Sequence, residues 1–301
     1  MKKYSFEEII NCEMCGNATA NHAILGQRLN QSQGLNPKNK SGISVSIKKC
    51  NNCELIYSSP LPVPENIQDH YGIPPEDYWR PAYFISNPVY FSSEIAIIKK
   101  LLPYKEGRKV LDIGAGIGHA MLALEREGFD VYGFEPSEPF YKKAIAVMNI
   151  KPERLKLGMI ENMEYEENTF DVITIGAVFE HLYHPSACLK KALSWLKPGG
   201  LIYIEVPSSN YFISKLINFY YYIRGTNYVT NISPMHSPFH LYEFSPKSFS
   251  ILEDKMNFKI ERIDHHVCDI AFIPKIFHPI FKKYMQITNT GMQISVYLRK
   301  K

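Results

Sequence analysis

The sequence predicts an α/β protein built on a doubly wound parallel sheet, and three observations carry that prediction. From Lys109 to Val206 short apolar runs alternate with amphipathic segments: KVLDIG, AMLALEREG, VYGFEP, EPFYKKAIAVM, FDVITIGAV, PSACLKKALSWL and LIYIEVP. Strands apolar on both faces, separated by helix-period segments, belong to a parallel sheet joined by right-handed crossovers. The first strand, within VLDIGAGIGHAML, ends in an acid and releases three alternating glycines, Gly114, Gly116 and Gly118, into a helical segment. Glycines crowded between strand and helix let a ligand lie against bare backbone, so a nucleotide-like ligand is expected there.

Composition sets the outer limits. With 301 residues, 45% of them hydrophobic, the chain can bury one large core or two modest ones. The net charge of +4, from 34 basic and 30 acidic side chains, is mild and no long Lys/Arg block occurs, so no nucleic acid is expected as partner. The longest apolar stretch, YFISKLINFYYYI, is short of the ~20 residues of a membrane helix and carries Lys215. The opening MKKYSFEEIINCEMC places acids and cysteines where a signal peptide needs an apolar run, so a cytoplasmic location is expected.

Residues 1–60 read as a zinc-binding module. Four of the six cysteines fall as Cys12-x-x-Cys15 and Cys50-x-x-Cys53, each pair in a polar, turn-like setting. A two-residue spacing lets both sulfurs of a knuckle face one metal, and four thiolates close a tetrahedral, structural zinc site. Free thiols or a redox pair are the alternative. The loop between the pairs, including GQRLNQSQGLNPKNKSGIS, is longer than a zinc ribbon needs and could reach a substrate. Cys188 and Cys268 read as isolated core thiols.

Residues 61–105 form a linker and helical cap. Its first part, Pro-rich and aromatic, cannot be one regular element. A helix is predicted from about Ser92 to Leu102, where Ile95, Ile98, Leu101 and Leu102 keep helical spacing before Pro103.

The rest, 106–301, is a Rossmann-like domain whose ligand the acids help to define. Asp112 stands before the first glycine, where a phosphate-binding turn does not want a carboxylate, and the third glycine comes one residue too early for G-x-G-x-x-G. Glu135 ends the second strand, placed to accept from both hydroxyls of a ribose. Two acids suit a ligand with a sugar and a cationic end.

Through VLDIGAGIGHA, VYGFEPS, FDVITIGAVFEHLYHP and LKPGGLIYIEVP, in that order, the chain resembles class I S-adenosylmethionine-dependent methyltransferases. The resemblance spans about a third of the chain. It implies a seven-stranded sheet whose last two strands pair antiparallel at the edge, and S-adenosyl-L-methionine as cofactor. It also implies that Gly114, Gly116 and Gly118 cradle the methionine part, that Asp112 supports the amino-acid end, and that Glu135, followed by Pro136, holds the ribose. Many members carry an acid after the residue matching Gly158; here Met159 and Ile160 stand instead, so an apolar adenine slot is expected, with Glu161 or backbone supplying polarity.

Catalysis is expected at the end of the fourth strand, in GAVFEHLYHP. Methyl transfer is an in-line displacement that gains from alignment and water exclusion, and a hydroxyl acceptor also needs a base. Glu180 and His181 leave the strand at the ligand-binding edge, and His181 is the first base candidate, against a purely structural loop histidine. His184 reads as a helix-start residue.

Residues 207–250 form a long insertion before the last two strands and read as a lid over the acceptor. Its HSPFHLYEFSPKSF resembles a segment of sugar, quinone and other small-molecule methyltransferases and offers His236, His240 and Tyr242, with His240 the second catalytic candidate. Tyr220, Tyr221 and Tyr222 read as core or interface before a stacking platform. Near the end, IAFIPKIFHPIFKKYMQI is basic and amphipathic: a solvated helix, or a surface for peripheral membrane contact.

The four-cysteine module before such a core is similar to bacterial sugar methyltransferases, so a sugar or sugar nucleotide of a deoxysugar or surface-polysaccharide pathway is the expected acceptor. RNA methylation is the alternative enzyme reading, against which stand the near-neutral charge and the absence of a basic aromatic stripe. A catalytically silent S-adenosylmethionine-binding partner protein is the third.

Overall fold

A computed structural model describes residues 4–29, 43–66, 85, 87, 89–103, 105–236 and 240–301. Residues 30–42 of the long loop between the cysteine pairs, most of the Pro-rich linker and part of the HSPFH segment lie outside the described residues.

The N-terminal region is built from strands β1 (Tyr4–Glu7), β2 (Ala23–Leu29), β3 (Ser44–Lys49), β4 (Ile56–Ser59) and β5 (Leu61–Pro64). Helix α1 (Ser92–Leu101) follows, closing one residue before the predicted end. The alternating core then runs β6 (Lys109–Ile113), α2 (His119–Arg126), β7 (Asp130–Glu135), α3 (Glu138–Ala146), β8 (Leu155–Leu157), β9 (Phe170–Gly176), α4 (Pro185–Trp195) and β10 (Leu196–Pro207). The insertion holds α5 (Phe212–Ile223) and β11 (Tyr242–Glu243), and α6 (Pro246–Glu253), β12 (Phe258–His266), α7 (His278–Thr288) and β13 (Gln293–Lys300) complete the chain.

The main sheet has seven strands in the order β12-β13-β10-β9-β6-β7-β8. All neighbours are parallel except β13, which runs antiparallel to both β10 and β12. The order reverses between β6 and β9, and there the loops at the carboxyl edge part to receive a ligand. Apolar strand faces pack on both sides: α1, α2 and α3 cover one through Ile98, Leu124 and Ala144, while the other is continuous with Leu189, Phe249 and the four cysteines.

The N-terminal sheet is not closed by N-terminal residues alone. Its order is β11-β4-β3-β2, so the lid strand Tyr242–Glu243 supplies one edge. At the other edge Gln27 of β2 exchanges backbone bonds with Asn227 and Val229, just beyond α5. The region expected as a linker begins with β5, which pairs with β1. Prolines at positions 62 and 64 are compatible with a two-stranded edge, where their missing N–H groups break no interior ladder.

Helix α6 joins lid and module. Ser245 and Ser248 form a reciprocal capping box at its N-terminus, and both hydroxyls also donate to the carbonyl of Cys53, at 3.1 and 2.8 Å. Lys255, beyond the helix end, donates to the carbonyl of Cys15. Losing a cap typically costs about 0.5–2 kcal/mol. Ser245→Ala should therefore lower stability by about 1–2 kcal/mol, and Ser245→Ala/Ser248→Ala by more, because the buried Cys53 carbonyl then loses both donors. Urea unfolding midpoints of the variants check this; unchanged midpoints would remove the helix cap from the account of how the module is held.

Candidate active site and metal centre

The glycine loop between β6 and α2 turns at the switch point. Gly114, Gly116 and Gly118 all have positive φ, and Gly118 is the left-handed N-cap of α2. At Gly114 the constraint is also spatial, since a Cβ there would collide with Val178 of the loop after β9. The loop is fastened from the side. Glu135, at the end of β7, accepts from Gly116 N and Ser137 N, each at 2.8 Å, and Ser137, after Pro136, caps α3. Asp112 accepts from Thr174 of β9 at 2.6 Å. Beside the loop the Tyr90 ring lies 5.1 Å from that of His119.

Both acids are buried, and burial pushes each up to about 7, against the hydrogen bonds that favour the ionised form. Neither makes an ion pair among the described residues. Two buried carboxylates beside bare glycine backbone fit a ligand that brings hydroxyls and a positive charge, as S-adenosylmethionine does. Met159 stands half-buried next to Gly158, whose N–H bonds Glu135 O, whereas Ile160 turns into the core. Glu161 is exposed and approaches Cys188 rather than the glycine loop.

A second group gathers at the end of β9. Glu180 and His181 lie on a short 3-10 turn, Phe179–His181, and the lid brings in His240. Ligand atoms of the three lie within 4.8 Å of one another, and the His181 and His240 rings meet edge-on at 4.4 Å. The lid is held there because Leu241 N donates to Glu180 O, and Ser233 Oγ, at 2.5 Å from Nδ1 of His240, leaves Nε2 to face the cluster. Glu180 is fully buried, its Oε2 lacks a hydrogen-bond partner, and burial pushes it up to about 8. The arrangement can hold a proton on one carboxylate and two imidazoles, and its donor set also suits a divalent cation.

Other lid candidates stand apart. His236 packs edge-on against His240 at 5.5 Å, behind the cluster. Tyr242 is buried and donates to the carbonyl of Tyr183. His184 precedes α4 and pairs with Glu13 at 3.3 Å. Of the tyrosine run, Tyr221 is buried and Tyr220 and Tyr222 are exposed. Thr174, Ser233 and Tyr90 were not legible as site residues, since each reaches the site through the tertiary fold.

The four cysteines converge. Cys12 and Cys53 sulfurs are 3.4 Å apart, Cys15 and Cys50 3.6 Å, and all four lie within 4.8 Å and are buried. These separations exceed the ~2.05 Å of a disulfide and approach the roughly 3.8 Å edge of a tetrahedron with Zn–S of about 2.3 Å. Each knuckle ends in a left-handed residue, Gly16 or Glu54, which turns the chain back. A hydrogen bond from Cys53 pulls Cys12 down to about 5, while that bond and burial push Cys53 up. Ionising the whole set therefore calls for a cation, and a structural zinc fits it.

Residues 90–262 match the family described as a methyltransferase domain. The chain belongs to that family. Among the relatives of this methyltransferase, the ubiquinone biosynthesis O-methyltransferase of Coxiella burnetii (strain RSA 493 / Nine Mile phase I) is 28% identical over 168 residues, 53% of this chain and 67% of that protein. That of Bordetella avium (strain 197N) is 27% identical over 172 residues, 56% and 66% of the two chains. An S-adenosylmethionine-dependent methyltransferase of Methanosarcina mazei shares the fold at TM-score 0.50 and 17% identity, over 68% of this chain and 96% of that one. So does a chain of the complex between the Haloferax volcanii Trm112 methyltransferase activator and a methyltransferase, at TM-score 0.50 and 17% identity over 70% and 91%. The protein is thus a class I S-adenosylmethionine-dependent methyltransferase with a four-cysteine cluster ahead of its core. Among the described residues no helix is long and apolar enough to cross a membrane.

Two measurements test the two centres. Glu135→Ala should weaken S-adenosylmethionine at least tenfold, since a hydrogen bond to a charged group contributes about 1.5–3 kcal/mol. Because burial holds Glu135 and Asp112 near 7, the wild-type protein must shed protons to bind below that pH, so affinity should fall from pH 8 to pH 6 and the fall should flatten in the variant. Calorimetry at both pH values reads this; an unchanged Kd in a folded variant would displace Glu135 from the ribose.

Elemental analysis should give about one zinc per chain, and Cys12→Ser should lose it. Because the Cys53 and Cys15 carbonyls hold α6 and Lys255, that loss should raise hydrogen exchange in residues 240–255 as well as in the module. A folded native protein without metal would refute the assignment.

Proposed function

We propose that the methyltransferase acts on a hydroxyl of a small polar acceptor, a sugar derivative, with the Glu180, His181 and His240 cluster deprotonating it. The observation that supports this best is the convergence of one buried carboxylate and two histidines, from two distant segments, at the carboxyl edge beside the glycine loop. S-adenosylmethionine would supply an electrophilic methyl on a sulfonium. Gly114, Gly116, Gly118, Asp112 and Glu135 would hold it, with Pro136 and Met159 shaping the wall that follows. His181 accepts the acceptor's proton in this reading. His240, oriented by Ser233, passes it on or polarises His181, and Glu180 favours the imidazolium that forms. The lid excludes water from the cluster by pairing β11 with β4 and bonding Leu241 to Glu180.

In this assignment residues 1–60 serve as a structural zinc module, 61–105 as linker and helical cap, and 106–301 as the catalytic domain with the lid at 207–250. A second reading, methylation of a quinone-like or lipid-linked acceptor at a membrane surface, is favoured by the curated relatives and by exposed Ile280 and Ile287 along α7, with Ile276 in the turn before it, beside Lys283. Cation-assisted deprotonation at the same three donors would leave either reading's acceptor unchanged, and chelation followed by metal add-back reveals it.

His181→Gln should keep S-adenosylmethionine affinity within a few-fold yet lower kcat by about 10²–10⁴ with a sugar-nucleotide acceptor. His240→Gln should lower it less. A loss confined to His240→Gln would move the base onto the lid, and small effects from both would leave alignment to carry the reaction.

A further inference from the structure

The module and α5 enclose a cavity of about 660 Å³ at the carboxyl edge of the main sheet. That volume is in the range of small-ligand sites. One wall is a single face of α5, where Ser214, Lys215 and Asn218 recur at helical spacing. Lys49, the last residue of β3, faces it from the module. Ser209, two residues beyond β10, and Glu243 of β11 line it as well, and Glu243 is three residues from His240.

The charges in this cavity are not settled by the protein itself. Among the described residues neither Lys49 nor Lys215 makes an ion pair; Lys215 Nζ donates only to Asn210 Oδ1, at 3.0 Å. Lys215 is exposed at the cavity mouth; partial desolvation and then the like charge of Lys49 lower its pKa, against the pull of Glu54 and Glu243. Ser209, among the lining residues, is 3% exposed, and its buried Oγ has no hydrogen-bond partner. Two lysines lining one cavity, beside the polar helix face of Ser214 and Asn218, are the complement of an anion with several acceptor oxygens. Glu243, held by Ser233 N at 2.6 Å, adds a carboxylate that accepts hydroxyls and repels a second anion.

We propose that this cavity binds the diphosphate arm of the methyl acceptor, Lys49 and Lys215 engaging its oxygens and Glu243 its sugar hydroxyls. The proposal rests on the reading of the acceptor as a sugar derivative and names its class, a sugar carried on an organic diphosphate. Two separate cations fit two phosphoryl groups better than one. The acceptor then runs from the cavity past Glu243 toward His240, and its position is fixed before the lid residues meet the reacting hydroxyl.

Calorimetry on the full-length, zinc-loaded protein with S-adenosylhomocysteine tests this, using uridine diphosphate, geranyl diphosphate, inorganic pyrophosphate and, as the uncharged control, uridine. At least one diphosphate should bind saturably with salt-dependent affinity, tenfold or more weaker in Lys215→Met and in Lys49→Ala. Uridine should not bind comparably. Preference for the uridine or the geranyl compound tells a nucleotide from a lipid carrier, and both support the site. Because Lys49 adjoins Cys50, zinc content and cofactor affinity are measured in each variant, and Lys215→Met, outside the module, decides if Lys49→Ala loses metal. Absence of saturable diphosphate binding, or binding unchanged in Lys215→Met, would overturn the proposal. Methyl transfer to an uncharged sugar without diphosphate binding would overturn the cavity alone, whereas diphosphate binding without methylation of any diphospho-sugar would overturn the acceptor reading alone.

Discussion

The carbonyl oxygen of Cys53 accepts the hydroxyls of Ser245 and Ser248, and much of the molecule is arranged around that meeting. On one side stands a knuckle of the four-cysteine cluster; on the other, the first turn of α6, directly after the lid strand. The bond pair fixes where β11 lies, β11 fixes Leu241 against Glu180, and His240 is thereby held at the end of β9. The cysteine cluster is far from the glycine loop in sequence and shares with it no chemistry. It nonetheless sets the position of a catalytic candidate through two serine hydroxyls and the backbone that follows them.

Carboxylates placed out of water are the other constraint. Asp112 and Glu135 are lifted to about 7, Glu180 to about 8 and Glu243 to about 7, each chiefly by burial. Folding favours the protonated form of such groups and so opposes their ionisation. That is a cost a packed apolar core would never incur, and one that hydroxyls or a positive charge brought by a ligand would offset. The polar interior is thus concentrated along the carboxyl edge of the sheet, where the strand order reverses.

What the sequence showed was what short-range pattern can encode. The strand, acid and glycine run of VLDIGAGIGHA, the acid at Glu135, the two Cys-x-x-Cys knuckles and the edge strands near the end each lie within a dozen residues, and the fold class and the cysteine cluster emerged as expected. The helix at Ser92 was off by one residue at its end. Less legible was everything made by distant pairing. Nothing in YEF shows that Tyr242 and Glu243 complete a sheet begun at Ala23, nor that the chain after α5 closes its opposite edge at Gln27. For that reason lid and module read as separate units along the chain, although they share one sheet. The partnership of Ser233 with His240 was hidden for the same reason.

Arg28 gives this shared sheet a history as well as a shape. It is wholly buried, donating from Nε to the carbonyl of Pro234 and from Nη1 to Thr230, some two hundred residues further on. During synthesis the guanidinium must wait, hydrated, until most of the catalytic core has left the ribosome, and β4 must wait equally long for β11. The four cysteines have no such delay, since the last of them follows the first by 41 residues. The cysteines can therefore meet while the module's edges remain open. Strand edges left open for that long are the ones that would be free to pair with other chains.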